Sequence, residues 1–194
     1  MRTEARIEKV RRVLERRQLD LTVVLENVHD PHNVSAVLRT CDSVGIYIVY
    51  LIYHSGQKFP DLSKRSSASA VKWVKLQFFD NVEECYNLLR GEGFKIYSTA
   101  LTKEAVSLYS LDLTQKVALV FGNEHTGVSE LAVSLADGNF RIPQVGMVES
   151  LNISVACAVS LYEAFRQRNS KGIYDKPQIT GQMFEEIFQK WLQK

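Results

Sequence analysis

Val117-Ala118-Leu119-Val120-Phe121-Gly122-Asn123-Glu124-His125-Thr126-Gly127 is the stretch on which the fold turns. Five apolar residues run into a glycine, a polar run and a second glycine follow, and a helical pattern begins at Val128. A buried strand that gives way to a helix through such a loop is where an α/β protein holds its ligand. The loop has neither the G-x-G-x-x-G spacing of a dinucleotide site nor a lysine for a phosphate. Its ligand requires a different chemistry.

Outward from this loop, short apolar runs alternate with helical patterns along the chain. Thr3 is placed to cap a first helix with a narrow stripe of Ile7, Val10, Val13 and Leu14, its arginines on the other faces. Strands are expected over Leu21–Val28, Ile46–Tyr53, Val71–Phe79, Phe94–Leu101 and Lys116–Phe121, with a short one over Phe140–Pro143. After the turn His29-Asp30-Pro31-His32, Asn33 is read as the cap of a helix closed by Gly45. Asp80 is read as the cap of a helix ending at Gly91 and Gly93. Val128–Ala136 and Ser150–Arg168 are further helices, residues 54–70 are loop-like, and Met183–Leu192 is a last amphipathic helix. Strands alternating with helices imply an α/β fold, a mostly parallel sheet with helices on both faces and basic helical extensions at both ends. The division expected is a basic N-terminal helix over 1–19, one α/β domain over 20–168 and a C-terminal extension over 169–194.

Charge is unevenly spread. Residues 1–17 hold seven basic residues against three acidic ones, and residues 166–194 hold six against three. With a total of +2, the body between them is net −5. Basic ends on an acidic body point to ends that meet a polyanion, or to solvated helix faces. Arg11, Arg12, Arg16, Arg17, Arg166 and Arg168 are the candidates to meet that polyanion. The longest apolar run, Ile46–Tyr53, is far short of the roughly 18 residues a membrane span needs. The charged N-terminus reads as no secretory signal, and Cys41, Cys85 and Cys157 are too widely spaced for a disulfide frame. A cytoplasmic protein with no membrane association is expected.

Several chemistries lack their residues. The first strand leads into His29-Asp30-Pro31-His32-Asn33 with no glycine, and the only G-x-G, Gly91-Glu92-Gly93, follows a helix and precedes a strand. P-loop, zinc-deaminase and nucleophile-elbow patterns are missing. The four histidines have no cluster of carboxylate or thiolate companions, so no metal site is expected. Polar residues concentrate instead at three strand-to-helix transitions: Asn33 to Arg39, Gly122 to Gly127, and Ile142 to Asn152.

Those transitions carry a resemblance. ENVHDPHNVSAVLRTCDSVG (26–45), VALVFGNEHTGVS (117–129) and RIPQVGMVESLNISVACAVSLYEAFRQR (141–168) together resemble the three motifs of the SpoU/TrmH branch of the SPOUT methyltransferases. With its basic first helix and C-terminal extension, the chain is most similar to the members that methylate the ribose 2′-hydroxyl of the guanosine at position 18 in the tRNA D-loop. The resemblance implies a C-terminal trefoil knot (the SPOUT fold), S-adenosyl-L-methionine as cofactor, tRNA as substrate and a homodimer. It assigns the cofactor to the loops around Thr99, Leu101, Gly122, Ile142 and Leu151. There Gly122 would let backbone approach the ligand, and Leu101, Ile142 and Leu151 would sandwich the purine. A cofactor without phosphate makes the missing glycine-rich loop expected.

The resemblance also assigns Arg39, Asn33, Glu124, Ser150 and Asn152 to catalysis. The resemblance makes Arg39 the base once a substrate phosphate engages it; because guanidinium stays protonated, a clamp on that phosphate that stabilises the developing alkoxide fits its chemistry better. Glu124 and Asn152 would form a hydrogen-bonded pair that holds the knot and positions Asn33 or Arg39. Ser150, a local cap for the last core helix, would lie beside the substrate phosphate or the cofactor carboxylate. Three alternatives stay open: the same chemistry on ribosomal RNA or a wobble ribose, a non-catalytic RNA-binding protein of this fold, and a nucleotide-binding oxidoreductase.

Overall fold

A computed structural model describes residues 3–54, 56–60, 62 and 70–194. The loop expected over 54–70 lies partly outside the described residues. Seven strands form one sheet: β1 (Leu21–Glu26), β2 (Ile48–Ile52), β3 (Lys75–Phe79), β4 (Lys95–Thr99), β5 (Val106–Ser107), β6 (Val117–Phe121) and β7 (Gly138–Arg141). Their order is β3-β2-β1-β6-β4-β7-β5, and every pairing is parallel. The helices are α1 (Glu4–Glu15), α2 (Pro31–Ser43), α3 (Val82–Gly91), α4 (Glu130–Leu135), α5 (Ile153–Ser170) and α6 (Gly181–Gln193).

The central strands are apolar on both faces because both faces are covered. Along β1, Leu21, Val23 and Leu25 enter one core with α2 and α5 residues such as Val37, Leu38, Cys157 and Leu161. Val24 points the other way, with Ala118 and Val120 of β6, into a core with Cys85, Tyr86 and Leu89 of α3. The sheet edge is less buried: in β3 no residue is fully covered. The expected strand Val71–Phe79 is therefore shorter, since Ala70–Lys72 form a 3-10 turn. The two-residue β5 lies between the expected strands Phe94–Leu101 and Lys116–Phe121.

Three expected caps are displaced. Asp30, not Asn33, caps α2: its side chain accepts from the His32 N–H at 2.8 Å, and Pro31 takes the first helical position. Asn81, not Asp80, caps α3 by accepting from the Glu84 N–H at 2.8 Å. Asn152, not Ser150, caps α5 by accepting from the Ser154 N–H at 2.9 Å. α2 thus starts three residues earlier than the sequence pattern implies, and α3 and α5 start one and two residues later.

The two terminal helices pack on each other. Val10 and Leu14 of α1 meet Phe184, Ile187, Phe188, Trp191 and Leu192 of α6 in a third core, with Tyr47 and Trp73 at its border. Two of the arginines assigned to RNA belong to the interior. Arg17 is fully buried; it pairs with the Asp42 carboxylate, donates to the Ile46 carbonyl at 2.9 Å and stands 5.0 Å from the Trp191 ring centre. Arg168 is also fully buried, pairs with Asp20 and donates to the carbonyls of Leu113 at 3.0 Å, Asp20 at 2.9 Å and Gln115 at 2.8 Å. Neither guanidinium reaches solvent, so neither binds RNA from this position. Arg11, Arg12 and Arg16 are exposed, and Arg166 is exposed while paired with Glu163. The Arg166 hydrogen bonds hold the Glu163 carboxyl below the usual carboxylate range.

Candidate cofactor cleft

A cleft of about 810 Å³ opens beyond the carboxyl ends of β4, β6 and β7. Three loops line it: Thr99 to Thr102 after β4, Gly122 to Val128 after β6, and Arg141 to Asn152 after β7. Parallel strands put these loops side by side at one edge of the sheet. Strand order reverses at the β1/β6 pair, which carries β2 on one side and β4 on the other. The Asn123 amide donates to the Asn27 carbonyl at 2.8 Å, tying the β6 loop to the end of β1.

The β6 loop has a fixed shape. Asn123 and Gly127 exchange two backbone hydrogen bonds of 2.9 Å each, and the Asn123 carboxamide oxygen accepts from the His125 N–H at 2.8 Å. Gly127 has φ +70°, a backbone that favours glycine. A Cβ on Gly122 would stand 2.1 Å from the Gly127 carbonyl carbon and oxygen and 2.2 Å from the Val128 nitrogen. Glycine is required there because the loop folds back on itself, a reason that concerns the loop's own backbone before any ligand's.

One hydrogen-bonded chain joins the three transitions. The Asn33 side-chain amide donates to Glu124 Oε1 at 2.8 Å, and the Asn33 carboxamide oxygen accepts from the Asn152 side-chain amide at 3.1 Å. A carboxylate only accepts, so Glu124 fixes which way the Asn33 amide points. Asn33 lies between Glu124 and Asn152, where the sequence reading pairs those two directly. Because Asn152 also caps α5, the same link sets where that helix starts.

Thr99, Leu101, Gly122, Ile142, Leu151, Glu124, Ser150 and Asn152 all line the cleft. The Thr99 hydroxyl donates to the Val120 carbonyl at 3.1 Å. Arg39 does not line it. It lies exposed on α2 and makes no hydrogen bond or ion pair among the described residues. The sequence reading misses Thr102, whose hydroxyl is buried in the cleft wall without a hydrogen-bond partner among the described residues. Nothing in Ala100-Leu101-Thr102-Lys103 distinguishes that threonine until the fold buries it.

The lining sets the ligand's character. Among the described residues, Glu124, Glu130 and Glu149 on the lining are set against a single guanidinium, Arg141, so the cleft favours a cation over a nucleotide phosphate. Leu101, Ile142 and Leu151 offer apolar surface for a flat ring, and the unpaired Thr102 hydroxyl awaits a polar partner. A sulfonium-bearing nucleoside such as S-adenosylmethionine fits these features.

Fold and cleft together define a cofactor-binding α/β protein whose ligand is seated by three loops without a phosphate cradle. The chain belongs to the SpoU rRNA Methylase family, whose model matches residues 20–162. It is 46% identical over 193 residues to a tRNA (guanosine(18)-2′-O)-methyltransferase of Thermus thermophilus, an alignment covering 100% of this chain and 98% of the relative. The structure superposes on the Aquifex aeolicus TrmH/SpoU tRNA modifying enzyme with TM-score 0.90 and 40% identity, over 98% of this chain and 96% of that one. It also matches the Streptomyces viridochromogenes SpoU methyltransferase AviRb in complex with the cofactor AdoMet, with TM-score 0.69 and 26% identity, over 80% of this chain and 59% of that one. Among the described residues no group of side chains could hold a metal ion, and no helix is long and apolar enough to cross a membrane.

Proposed function

We propose that this chain transfers the methyl group of S-adenosyl-L-methionine to the ribose 2′-hydroxyl of the guanosine at position 18 of tRNA. The observation that carries this reading is the Glu124–Asn33–Asn152 chain, which locks the three family motifs around a cleft suited to a cation. The full-length likeness to the guanosine-18 enzyme of Thermus thermophilus supports the choice of substrate over ribosomal RNA or a wobble ribose.

S-adenosylmethionine, when bound, supplies an electrophilic methyl carbon on its sulfonium. The chain's residues do the rest. Thr99, Leu101, Thr102, Gly122, Ile142 and Leu151 hold the adenosine, and Glu124, Glu130 and Glu149 favour its positive charge. Transfer would form the carbon–oxygen bond as the methyl–sulfur bond breaks and the neutral thioether leaves, with the hydroxyl proton passing to water; proton loss that runs ahead of bonding builds negative charge on that oxygen. Arg39 holds the adjacent phosphate in its planar fork and stabilises that charge. Ser150 takes a phosphate oxygen or the cofactor carboxylate, and Asn33 and Asn152 set the spacing of α2 and α5.

Arg39 stands outside its own chain's cleft, and a homodimer would bring it to the partner's. Support comes from Val145, Met147, Val148, Val155 and Tyr162, large apolar side chains left exposed around the β7–α5 loop and α5. The trefoil knot belongs to the same reading, as does the division into a basic first helix (1–19), methyltransferase domain (20–168) and C-terminal extension (169–194). Arg11 and Arg12 on α1, Arg16 at its end and Arg166 on α5 are exposed and would meet tRNA phosphates. The three buried free thiols suit a cytoplasmic protein.

The deciding experiment incubates pure protein with methyl-labelled S-adenosylmethionine and unmodified tRNA transcript, then maps the label by nuclease digestion. Label at guanosine 18 is expected. Label at another nucleotide, or none, overturns the assignment. A transcript with deoxyguanosine at that position should bind and stay unlabelled.

A further inference from the structure

A second cavity, of about 450 Å³, lies where α6 crosses the amino ends of β2 and β3. Tyr47 and Ile48 enter it from β2, Lys72 to Lys75 from the start of β3, and Met183, Lys190, Trp191 and Lys194 from α6. The strands are parallel, so this is the opposite end of the sheet from the cofactor cleft. A five-residue strand spans about 17 Å, and the two sites are at least that far apart.

The cavity combines rings with unpaired charge. Trp73 is half-buried and packs nearly perpendicular to Trp191, the ring centres 5.3 Å apart at 73°. The Lys194 ammonium stands 5.7 Å from the Trp73 ring centre. Lys72, Lys75 and Lys190 are exposed and form no ion pair among the described residues. Among the described residues Glu186 is the sole acid on the lining. Burial and its neighbours Lys190 and Lys72 lower the Lys194 pKa, so these cations repel one another in the free protein. A polyanion relieves that repulsion, and flat rings beside it give a base a face to stack on.

We propose that this cavity is a second RNA-binding site, which takes a nucleotide of single-stranded or loop RNA with its base against Trp73 and its phosphates on Lys72, Lys75 and Lys190. Lysines act as point charges and read no base edge, so the site anchors RNA without regard to sequence. Its distance from the cleft means that it holds a different part of the tRNA from the one being methylated. The inference rests on the reading of this chain as a tRNA enzyme.

The chain has two tryptophans, both at this cavity, so tryptophan fluorescence reports on it directly. Full-length tRNA transcript should quench that fluorescence, whereas S-adenosylmethionine should not. In the triple variant Lys72→Gln, Lys75→Gln, Lys190→Gln the quench should vanish. The dissociation constant for full-length tRNA should rise about tenfold, and the slope of log affinity on log salt should become shallower by about 2. Turnover at saturating tRNA should be kept. Trp73→Leu should weaken tRNA binding with the salt slope intact, and because the lysines are exposed the triple variant stands even if that change disturbs packing. Unchanged affinity and slope in a triple variant whose wild-type parent methylates tRNA would overturn the second site alone. Failure of the wild-type protein to methylate any tRNA would overturn the functional reading as well.

Discussion

Replacing Arg168 with methionine tests whether this arginine belongs to the fold or to RNA. The methionine stem occupies much of the same space, so the change removes mainly the guanidinium. That leaves Asp20 without its cationic partner and the Leu113 and Gln115 carbonyls without the donors that satisfy them. Removing one partner of a buried ion pair costs about 3–5 kcal/mol. Two unsatisfied buried carbonyls at about 1–3 kcal/mol each bracket the same figure. For a chain of this length each kcal/mol moves the melting temperature by about 2–4 °C, so a fall of about 6–20 °C is expected. Calorimetry measures it, alongside tRNA binding at several salt concentrations where the variant is still folded. The salt slope should match the wild type, because a buried guanidinium neutralises no phosphate. Arg166→Gln is the contrast: its exposed pair contributes little stability, and losing a phosphate contact would make the slope shallower by about 0.7–0.9. A Tm within 2 °C of wild type for Arg168→Met, or a shallower slope with it, would refute the reasoning.

Arg39→Ala should abolish methyl transfer and leave S-adenosylmethionine affinity within a few-fold, since Arg39 does not line the cleft; turnover and calorimetry on one preparation decide it, and near-normal turnover would remove Arg39 from the mechanism. Gly122→Ala should cost about 1–3 kcal/mol by forcing the β6 loop open and should weaken cofactor binding, read by thermal melting with and without S-adenosylmethionine. The Asp112 carboxyl is held down to about 2, from 3.8, chiefly by hydrogen bonds from Thr114 and Gln115. Its contribution to stability is therefore present above pH 3.8 and lost as pH falls towards 2; Asp112→Asn should flatten that limb of an acid-unfolding curve by a small amount, the side chain being half exposed. Burial pushes the Cys85 thiol up to about 12 and also raises Cys157, so a thiol reagent at pH 8 should find none of the three cysteines until the chain unfolds.

The strands were legible because burial on both faces writes an unbroken apolar run, as in Val117–Phe121. The cleft was legible because its residues sit where such runs stop. The α2 cap was within reach: Asp30 followed by Pro31 is the better start signal, and Asn33 looked like a cap only because its side chain is polar. Its polarity serves Glu124 and Asn152, 91 and 119 residues away, which local pattern does not encode. The same limit misplaced Arg17 and Arg168. A count of charges treats every arginine as surface, and their partners Asp42 and Asp20 lie 25 and 148 residues off. The second cavity was illegible for a related reason, since Trp73 and Trp191 meet only when α6 returns to the sheet edge.

The pairing of α1 with α6 constrains the order in which the chain becomes a protein. α1 is made before the sheet and α6 after it, so the apolar stripe of α1, Val10 and Leu14, finds its cover only in residues made much later. Arg17 likewise waits for Trp191, and Asp20 for Arg168. Contacts of such long separation close late, because the intervening loop must be ordered first. During synthesis the first helix is an unsatisfied amphipathic segment beside a nascent sheet, and only arrival of Phe184 to Leu192 completes it. A ribosome that stalls before α6 thus leaves that stripe uncovered, open to chaperones and proteases.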